Sequence, residues 1–203
     1  IFAFDLSTGN EFKFYNSRFT DNYIYPDPLS NRAILLSERR KGSSSNTVPN
    51  DILLLDYESG KSRNLQYDLN HAYKRWLDQK ATQGYTVTYA YFENKGAVVS
   101  SVEWISQNEI GITMSAPVKR IEPSGLKSGI WNTAPFIYNI ETNDLECMIN
   151  FDTFAASLYT NIHWEGRDTV LIYSETLRLG APTFNFTDEE YISKIIRKGG
   201  SFE

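Results

Sequence analysis

The chain has 203 residues, a length that suits one ordinary domain or one large piece of a bigger protein. Hydrophobic residues make up 41% of it and charged residues 22%, which excludes wholesale disorder and a collagen-like chain. The formal net charge is -5 at pH 7, and because a binder of the phosphate backbone needs a basic face, we expect no nucleic-acid partner.

Aromatic residues reach 14% of the chain, and aromatic side chains suit the pleated, half-buried surface of a β-sheet. The composition therefore favours an all-β fold. One cysteine excludes an internal disulfide, and two histidines leave few ways to build a metal site, so we expect neither a metal nor a cofactor. No run approaches the roughly 20 apolar residues that a membrane-spanning helix needs, so we also expect no membrane span.

The chain opens with a pattern that recurs twice and is typical of a β-hairpin. An apolar run is followed by Asp or Asn, one further apolar residue, a short polar turn and a second strand. The turns contain Gly9, Gly60 or Asn143, residue types that accept the positive φ of a tight turn. The copies are residues 1–12, 52–63 and 136–147, and their expected second strands are 11–15, 62–67 and 145–151.

A second recurring pattern consists of an apolar stretch with an aromatic residue or Pro, a polar turn and an apolar strand. Its copies are residues 21–37, 99–114 and 159–174. Together the two patterns give four antiparallel strands that repeat every 40–50 residues or so, which is typical of β-propeller blades. We therefore expect one propeller-like domain or fragment over residues 1–203, with blade units at about 1–16, 17–69, 97–152 and 155–203.

The segment 70–96 interrupts this order and is predicted to be an insertion. Its first part reads as a short helix, with Tyr73, Trp76 and Leu77 on one side and Gly84 at its end. Short helical insertions of this kind are expected beside the blades.

Two further stretches depart from the repeat. Residues 115–133 contain several Pro and Gly residues and are predicted to form a long loop. Residues 188–198 fit a helix as well as a strand, and the pattern leaves both alternatives open.

The clearest copy of the repeat lies at residues 23–65. Tyr25, Pro26 and Asp27 form an aromatic-Pro-Asp turn, which leads into the strand 34–37. This unit resembles the repeat of TolB-like propellers, which also occurs in the propeller of prolyl oligopeptidase-type peptidases.

The remaining copies of that repeat are degenerate. Trp104 and Trp164 hold the aromatic place, and Asn139 and Asn143 replace the Asp and the Gly of the hairpin. The resemblance covers about two thirds of the chain. It implies a propeller fold and, through its TolB-like members, a periplasmic, cell-envelope or secreted setting.

The number of units bears on whether the ring is closed. Propellers have typically 4–8 blades, and about three and a half are recognised here. We therefore expect an incomplete ring that is a piece of a larger protein, or a ring that is completed by parts the repeat does not reveal.

A search for catalytic residues leaves the question of enzyme activity open. A G-x-S-x-G elbow and a C-x-x-C pair are absent from the sequence. His163 stands near Glu165 and Asp168, but a metal site would need further ligands from elsewhere. The alternative is that His163 packs beside Trp164.

Four residues are candidates for contact with a partner. Trp76 in the insertion and Trp131 at the end of the long loop could anchor an interface, because aromatic residues dominate interface hot spots. Arg39 and Arg40 begin a basic stretch that could hold an anionic ligand or form a loop tip.

The sequence therefore predicts a non-catalytic propeller module that binds a protein or peptide. The alternative is the access-gating propeller domain of a prolyl oligopeptidase-type peptidase or another hydrolase, whose catalytic domain lies outside these residues. A small-molecule site in the propeller channel is a third hypothesis.

Overall fold

The computed structural model describes residues 2–4, 9, 11–13, 21–39, 48–89, 93, 96–120, 132–148, 158–175, 190–198 and 201–202. Within them the chain is mainly β, its strands pair antiparallel, and it carries a 17-residue helix. It begins with a hairpin of β1 (Phe2–Phe4) and β2 (Glu11–Lys13).

The first four-stranded sheet follows in chain order. Its strands are β3 (Asp21–Pro26), β4 (Arg32–Arg39), β5 (Val48–Asp56) and β6 (Lys61–Asn64). Helix α1 (Gln66–Thr82) and the short strand β7 (Tyr85–Val87) come next.

Two more four-stranded sheets complete the described chain. The second contains β8 (Val99–Ser106), β9 (Glu109–Ala116), β11 (Asn132–Asn139) and β12 (Leu145–Cys147). Between β9 and β11 the chain forms the short strand β10 (Val118–Arg120), which does not belong to this sheet. The third contains β13 (Leu158–Trp164), β14 (Thr169–Glu175), β15 (Glu190–Lys198) and β16 (Ser201–Phe202).

The predicted four-stranded antiparallel sheets are confirmed. The first, second and third sheets lie within the predicted units 17–69, 97–152 and 155–203, in that order. The expected turn geometry is confirmed as well, because the left-handed turn residues have positive φ angles. They are Gly9 at 71°, Gly60 at 65° and Asn143 at 58°.

Two predicted boundaries are wrong, and the structure shows why. The strand expected at 62–67 ends at Asn64, whose Oδ1 accepts a hydrogen bond from the Gln66 N–H at 2.8 Å, so the helix begins four residues before the predicted 70. The long loop predicted at 115–133 contains β10, which pairs with β7.

The stretch 188–198, for which helix and strand both remained open, forms the strand β15 from Glu190. It pairs with β14 from its first residue, with Glu190 against Glu175, to Ile196 against Thr169. Three β-branched isoleucines in nine residues favour the strand over the helix here.

The central strands of the first two sheets are buried on both faces. Residues 33–37 of β4, 110–114 of β9 and 134–138 of β11 are buried without interruption. Since neighbouring strand residues point to opposite faces, continuous burial means that each of these sheets is covered on both sides.

Helix α1 packs its aromatic side against the second sheet. The rings of Tyr73 and Trp76 stack 5.8 Å apart, and Trp76 meets Phe136 of β11 edge-on at 4.9 Å. The Tyr73 hydroxyl donates a hydrogen bond to the Ser115 carbonyl. The predicted helical side of Tyr73, Trp76 and Leu77 is thus confirmed as a core-facing side. None of the helices described is long and apolar enough to cross a membrane.

Candidate partner-binding surface

The four residues predicted to contact a partner are placed differently by the structure. Trp76 lies in the core with 6% of its surface exposed. Because its ring is held between Tyr73 and Phe136, it stabilises the core and is not part of the exposed surface. Arg39 ends β4, just after a register shift, and only its backbone is described. Arg40 and Trp131 lie outside the described residues.

The two tryptophans at repeated positions join neighbouring sheets. Trp104 of β8 donates a hydrogen bond from Nε1 to the carbonyl of Tyr25 in β3, at 2.9 Å, and the Arg32 guanidinium lies 5.3 Å from its ring centroid. Trp164 of β13 lies on Gly111 of β9, so that a Cβ at 111 would be 2.2 Å from Trp164 Cε2. The second sheet therefore packs on the first through Trp104, and the third packs on the second through Trp164.

The first residues of β4 and β9 make corresponding contacts. Arg32 donates to the carbonyl of Gln107, in the turn of the second sheet. Glu109 accepts hydrogen bonds from Arg167, in the turn of the third sheet, with Nε 3.0 Å from both carboxylate oxygens. The first sheet thus holds the first turn of the second, and the second sheet holds the first turn of the third.

His163 takes part in the second of these sheet contacts. Its Nδ1 lies 2.8 Å from Glu103 Oε1 in β8, and Glu103 Oε2 accepts a hydrogen bond from the Trp164 N–H at 3.0 Å. Among the residues that the structure describes, no group of three or more His, Cys, Asp or Glu side chains could hold a metal ion. The described contacts of His163 are therefore those of a side chain that joins two sheets.

An exposed apolar surface lies on the first strand of the first sheet and in the turn after it. Its members are Tyr23 (52% exposed), Ile24 (46%) and Leu29 (78%), and we call them the β3 surface. In the order β3-β4-β5-β6 the strand β3 stands at the edge of its sheet. Tyr23 and Ile24 are neighbours on the strand, so they are exposed on opposite faces of the sheet, on the two sides of this edge.

The turn that carries Leu29 is rigidly held by a buried carboxylate. Asp27 Oδ1 accepts a hydrogen bond from the Leu29 N–H at 2.9 Å, and Oδ2 accepts from the Ser30 hydroxyl and from Arg32 Nη2 at 3.2 Å. Burial raises the pKa of Asp27, but the hydrogen bonds from Ser30, Leu29 and Arg32 outweigh it and hold the pKa below its ordinary value. Leu29 is therefore presented to solvent on a fixed loop.

Sequence reasoning did not select the β3 surface. A run such as Tyr23-Ile24-Tyr25 is typical of a strand that is buried on both faces, as β4 is. The signal that could have found the surface is Leu29, an apolar residue in the otherwise polar turn 28–31.

In comparisons with known proteins, no family model, no curated protein and no solved structure matches this chain.

Proposed function

We propose that the chain is a propeller-type module that binds an extended segment of a partner protein at the β3 surface. The observation that carries the proposal is the exposure of Tyr23, Ile24 and Leu29 together on one edge strand and its turn. Tyrosine is one of the residue types that most often dominate the binding energy of an interface, and the burial of Ile24 and Leu29 by a partner would add apolar area.

The repeated contacts between the sheets support the propeller arrangement. Trp104 joins the second sheet to the first, and Trp164 joins the third to the second. Arg32 and Glu109 stand at the start of corresponding strands and each contact the next sheet's turn. Repeated units that contact only their neighbours, with both faces of the central strands buried, are what stacked blades require.

The hydrogen bonds of the turn that carries Leu29 support a preorganised binding surface. The Asp27 turn is fixed by three hydrogen bonds to one carboxylate, so Leu29 loses little conformational freedom when a partner contacts it. A preorganised surface binds more tightly than a mobile one of the same area, because less ordering is required.

The test is a selection of random linear peptides on the purified chain, followed by affinity measurements with variants. Tyr23→Ser and Ile24→Ser should each weaken the binding of a selected peptide by about fivefold or more, since losing one buried apolar anchor costs more than about 1 kcal/mol. Tyr67→Ser is the matched control. Tyr67 is an aromatic residue that is 70% exposed, and it lies on α1 rather than on β3.

Retained affinity in both β3 variants would contradict the proposal, as would an equal loss in Tyr67→Ser. Circular dichroism of each variant must match the wild-type chain, so that a loss of binding reports on the surface and not on folding. The access-gating domain of a hydrolase remains a separate hypothesis, which rests on the repeat resemblance.

A further inference from the structure

The edge of β3 that lies away from β4, with which no described strand pairs, has a defined hydrogen-bonding pattern. Asp27, which follows the strand, donates its N–H to the Arg32 carbonyl at 2.9 Å, and Pro26 stands opposite Ala33 in the ladder. In an antiparallel pair, successive residues turn their N–H and C=O groups alternately toward the partner strand and away from it. Pro26 therefore stands at a position where the missing N–H would point away from β4.

The same alternation assigns the rest of the strand. Tyr23 and Tyr25 turn their backbone groups toward β4, whereas Asn22 and Ile24 turn theirs away from it. In the described part of the chain no strand pairs with β3 on that side. Among the described residues, the N–H and C=O groups of Asn22 and Ile24 therefore face a side of β3 on which no strand is paired.

The side-chain exposures agree with an open edge. Tyr23 and Ile24 are neighbours on a strand, so their side chains point to opposite faces of the sheet. If only one face of the sheet were uncovered here, only one of the two side chains would be exposed. Tyr23 is 52% exposed and Ile24 is 46% exposed, so both faces are uncovered at this strand. What is open at this point is therefore the edge of the sheet, and the side chains flank it on both faces.

We infer that the partner segment is a β-strand that adds to the edge of β3 and hydrogen-bonds to the backbone of Asn22 and Ile24. Its alternate side chains then lie beside Tyr23 on one face and Ile24 on the other. Pro26 offers no N–H and ends the pairing, so the added strand is short. This inference rests on the proposed function, and it names the kind of partner that the β3 surface takes.

The decisive experiment uses the unaltered chain and a peptide that was selected as described above. Versions of that peptide are made in which one backbone N–H at a time is replaced by N-methyl. We expect an alternating pattern, in which methylation at every second residue weakens binding by about fivefold or more per lost hydrogen bond and the residues between tolerate it. Binding that tolerates methylation everywhere, or weakens without alternation, would overturn strand addition.

A pair of protein variants tests the same edge from the other side. Ile24→Ala removes the side chain but keeps the N–H, whereas Ile24→Pro removes the N–H as well. Because this N–H points away from β4, the proline is compatible with the sheet. We expect Ile24→Pro to bind the peptide at least about fivefold more weakly than Ile24→Ala. Equal affinities of two folded variants would overturn the inference, and if the proline variant does not fold, the methylation pattern decides.

The outcomes separate the two proposals. Dependence on the Tyr23 and Ile24 side chains with no alternation in the peptide would leave the binding surface standing and remove strand addition alone. Selected peptides that bind without regard to Tyr23 and Ile24 would remove both.

Discussion

The indole of Trp164 lies directly on the backbone of Gly111, and this contact joins the third sheet to the second. A Cβ built at position 111 would stand 2.2 Å from Trp164 Cε2, closer than real Cβ contacts come. Gly111 lies within the buried stretch 110–114, and the other four residues of that stretch all carry larger side chains. The glycine is therefore required by the approach of the neighbouring sheet, and not by a turn.

Replacing Gly111 with alanine should destabilise the chain. The added methyl group would collide with a ring rather than with the far end of a flexible side chain, so the two sheets must separate locally. We expect a loss of about 1–3 kcal/mol in the free energy of unfolding, the usual cost of overpacking a core. Urea unfolding followed by circular dichroism measures it.

A double-mutant cycle shows whether that cost comes from the Trp164 contact. In a Trp164→Leu background the ring is gone, so Gly111→Ala should cost clearly less than it does in the wild-type chain. An equal cost in both backgrounds would mean that something other than the indole limits position 111.

Asp27 should make stability sensitive to acid. Its pKa is held below the ordinary 3.8 in the folded chain by its hydrogen bonds, against the opposing effect of burial. A lowered folded pKa stabilises the chain above the unfolded pKa, and this stabilisation disappears as the pH falls through the folded value. Asp27→Asn should therefore be less stable than wild type near neutral pH, and the difference should shrink below about pH 4.

A second variant tests the cause of that shift. Ser30→Ala removes one donor to the Asp27 carboxylate and leaves the charge in place. The acid transition of this variant should move up toward the ordinary pKa of Asp27. A difference between wild type and Asp27→Asn that stays constant from neutral to acid pH would contradict the argument.

Tyr138 should make stability sensitive to alkali. Burial, with a smaller effect of the Asp68 carboxylate, raises the pKa of Tyr138 to about 12 from an ordinary 10.0. Since the unfolded phenol ionises first, the stabilisation is complete below pH 10 and is lost as the pH rises toward 12.

The variant Tyr138→Phe should decline less than wild type over that range. It also loses the hydrogen bond from the Tyr138 hydroxyl to Asn143 Oδ1, which is 2.8 Å long, so it should start about 1 kcal/mol less stable near neutral pH. The measurement is the free energy of unfolding at several alkaline pH values. Parallel curves for the two proteins would show that Tyr138 does not carry the effect.

The parts of the fold that the sequence predicts correctly are local. A hairpin is encoded by an apolar run and a turn residue that accepts positive φ, and both Gly60 and Asn143 adopt it. The short strand β10 was missed because it follows Pro117 in a Pro- and Gly-rich stretch and pairs with β7, a contact across some thirty residues that no local pattern encodes.

The candidate site could be predicted less well, because exposure is decided by packing between elements. Trp76 was expected at a surface since it lies in an insertion, yet it shares one helical side with Tyr73 and Leu77, and that side packs into the core. Tyr23 and Ile24 have the sequence of a buried strand, and only their position at the edge of the sheet exposes them.

The turn at Asn139 offers a test of the repeat itself. Asn139 Oδ1 accepts hydrogen bonds from the N–H groups of Glu141 and Thr142, both at 3.0 Å. In the first sheet, Asp56 Oδ1 accepts hydrogen bonds from the N–H groups of Glu58 and Ser59, which stand at the corresponding positions. Asn139→Asp keeps this acceptor and should leave stability within about 0.5 kcal/mol of wild type.

Asn139→Ala leaves both N–H groups without their acceptor and should cost about 1 kcal/mol, the usual value of such a local hydrogen bond. The reciprocal change, Asp56→Asn, is the matched control in the first sheet and should again be tolerated better than Asp56→Ala. Thermal unfolding of the four variants gives the comparison. If the alanine variant were as stable as the variant that keeps the acceptor at both positions, the two turns would owe their shape to the left-handed residues Gly60 and Asn143 alone.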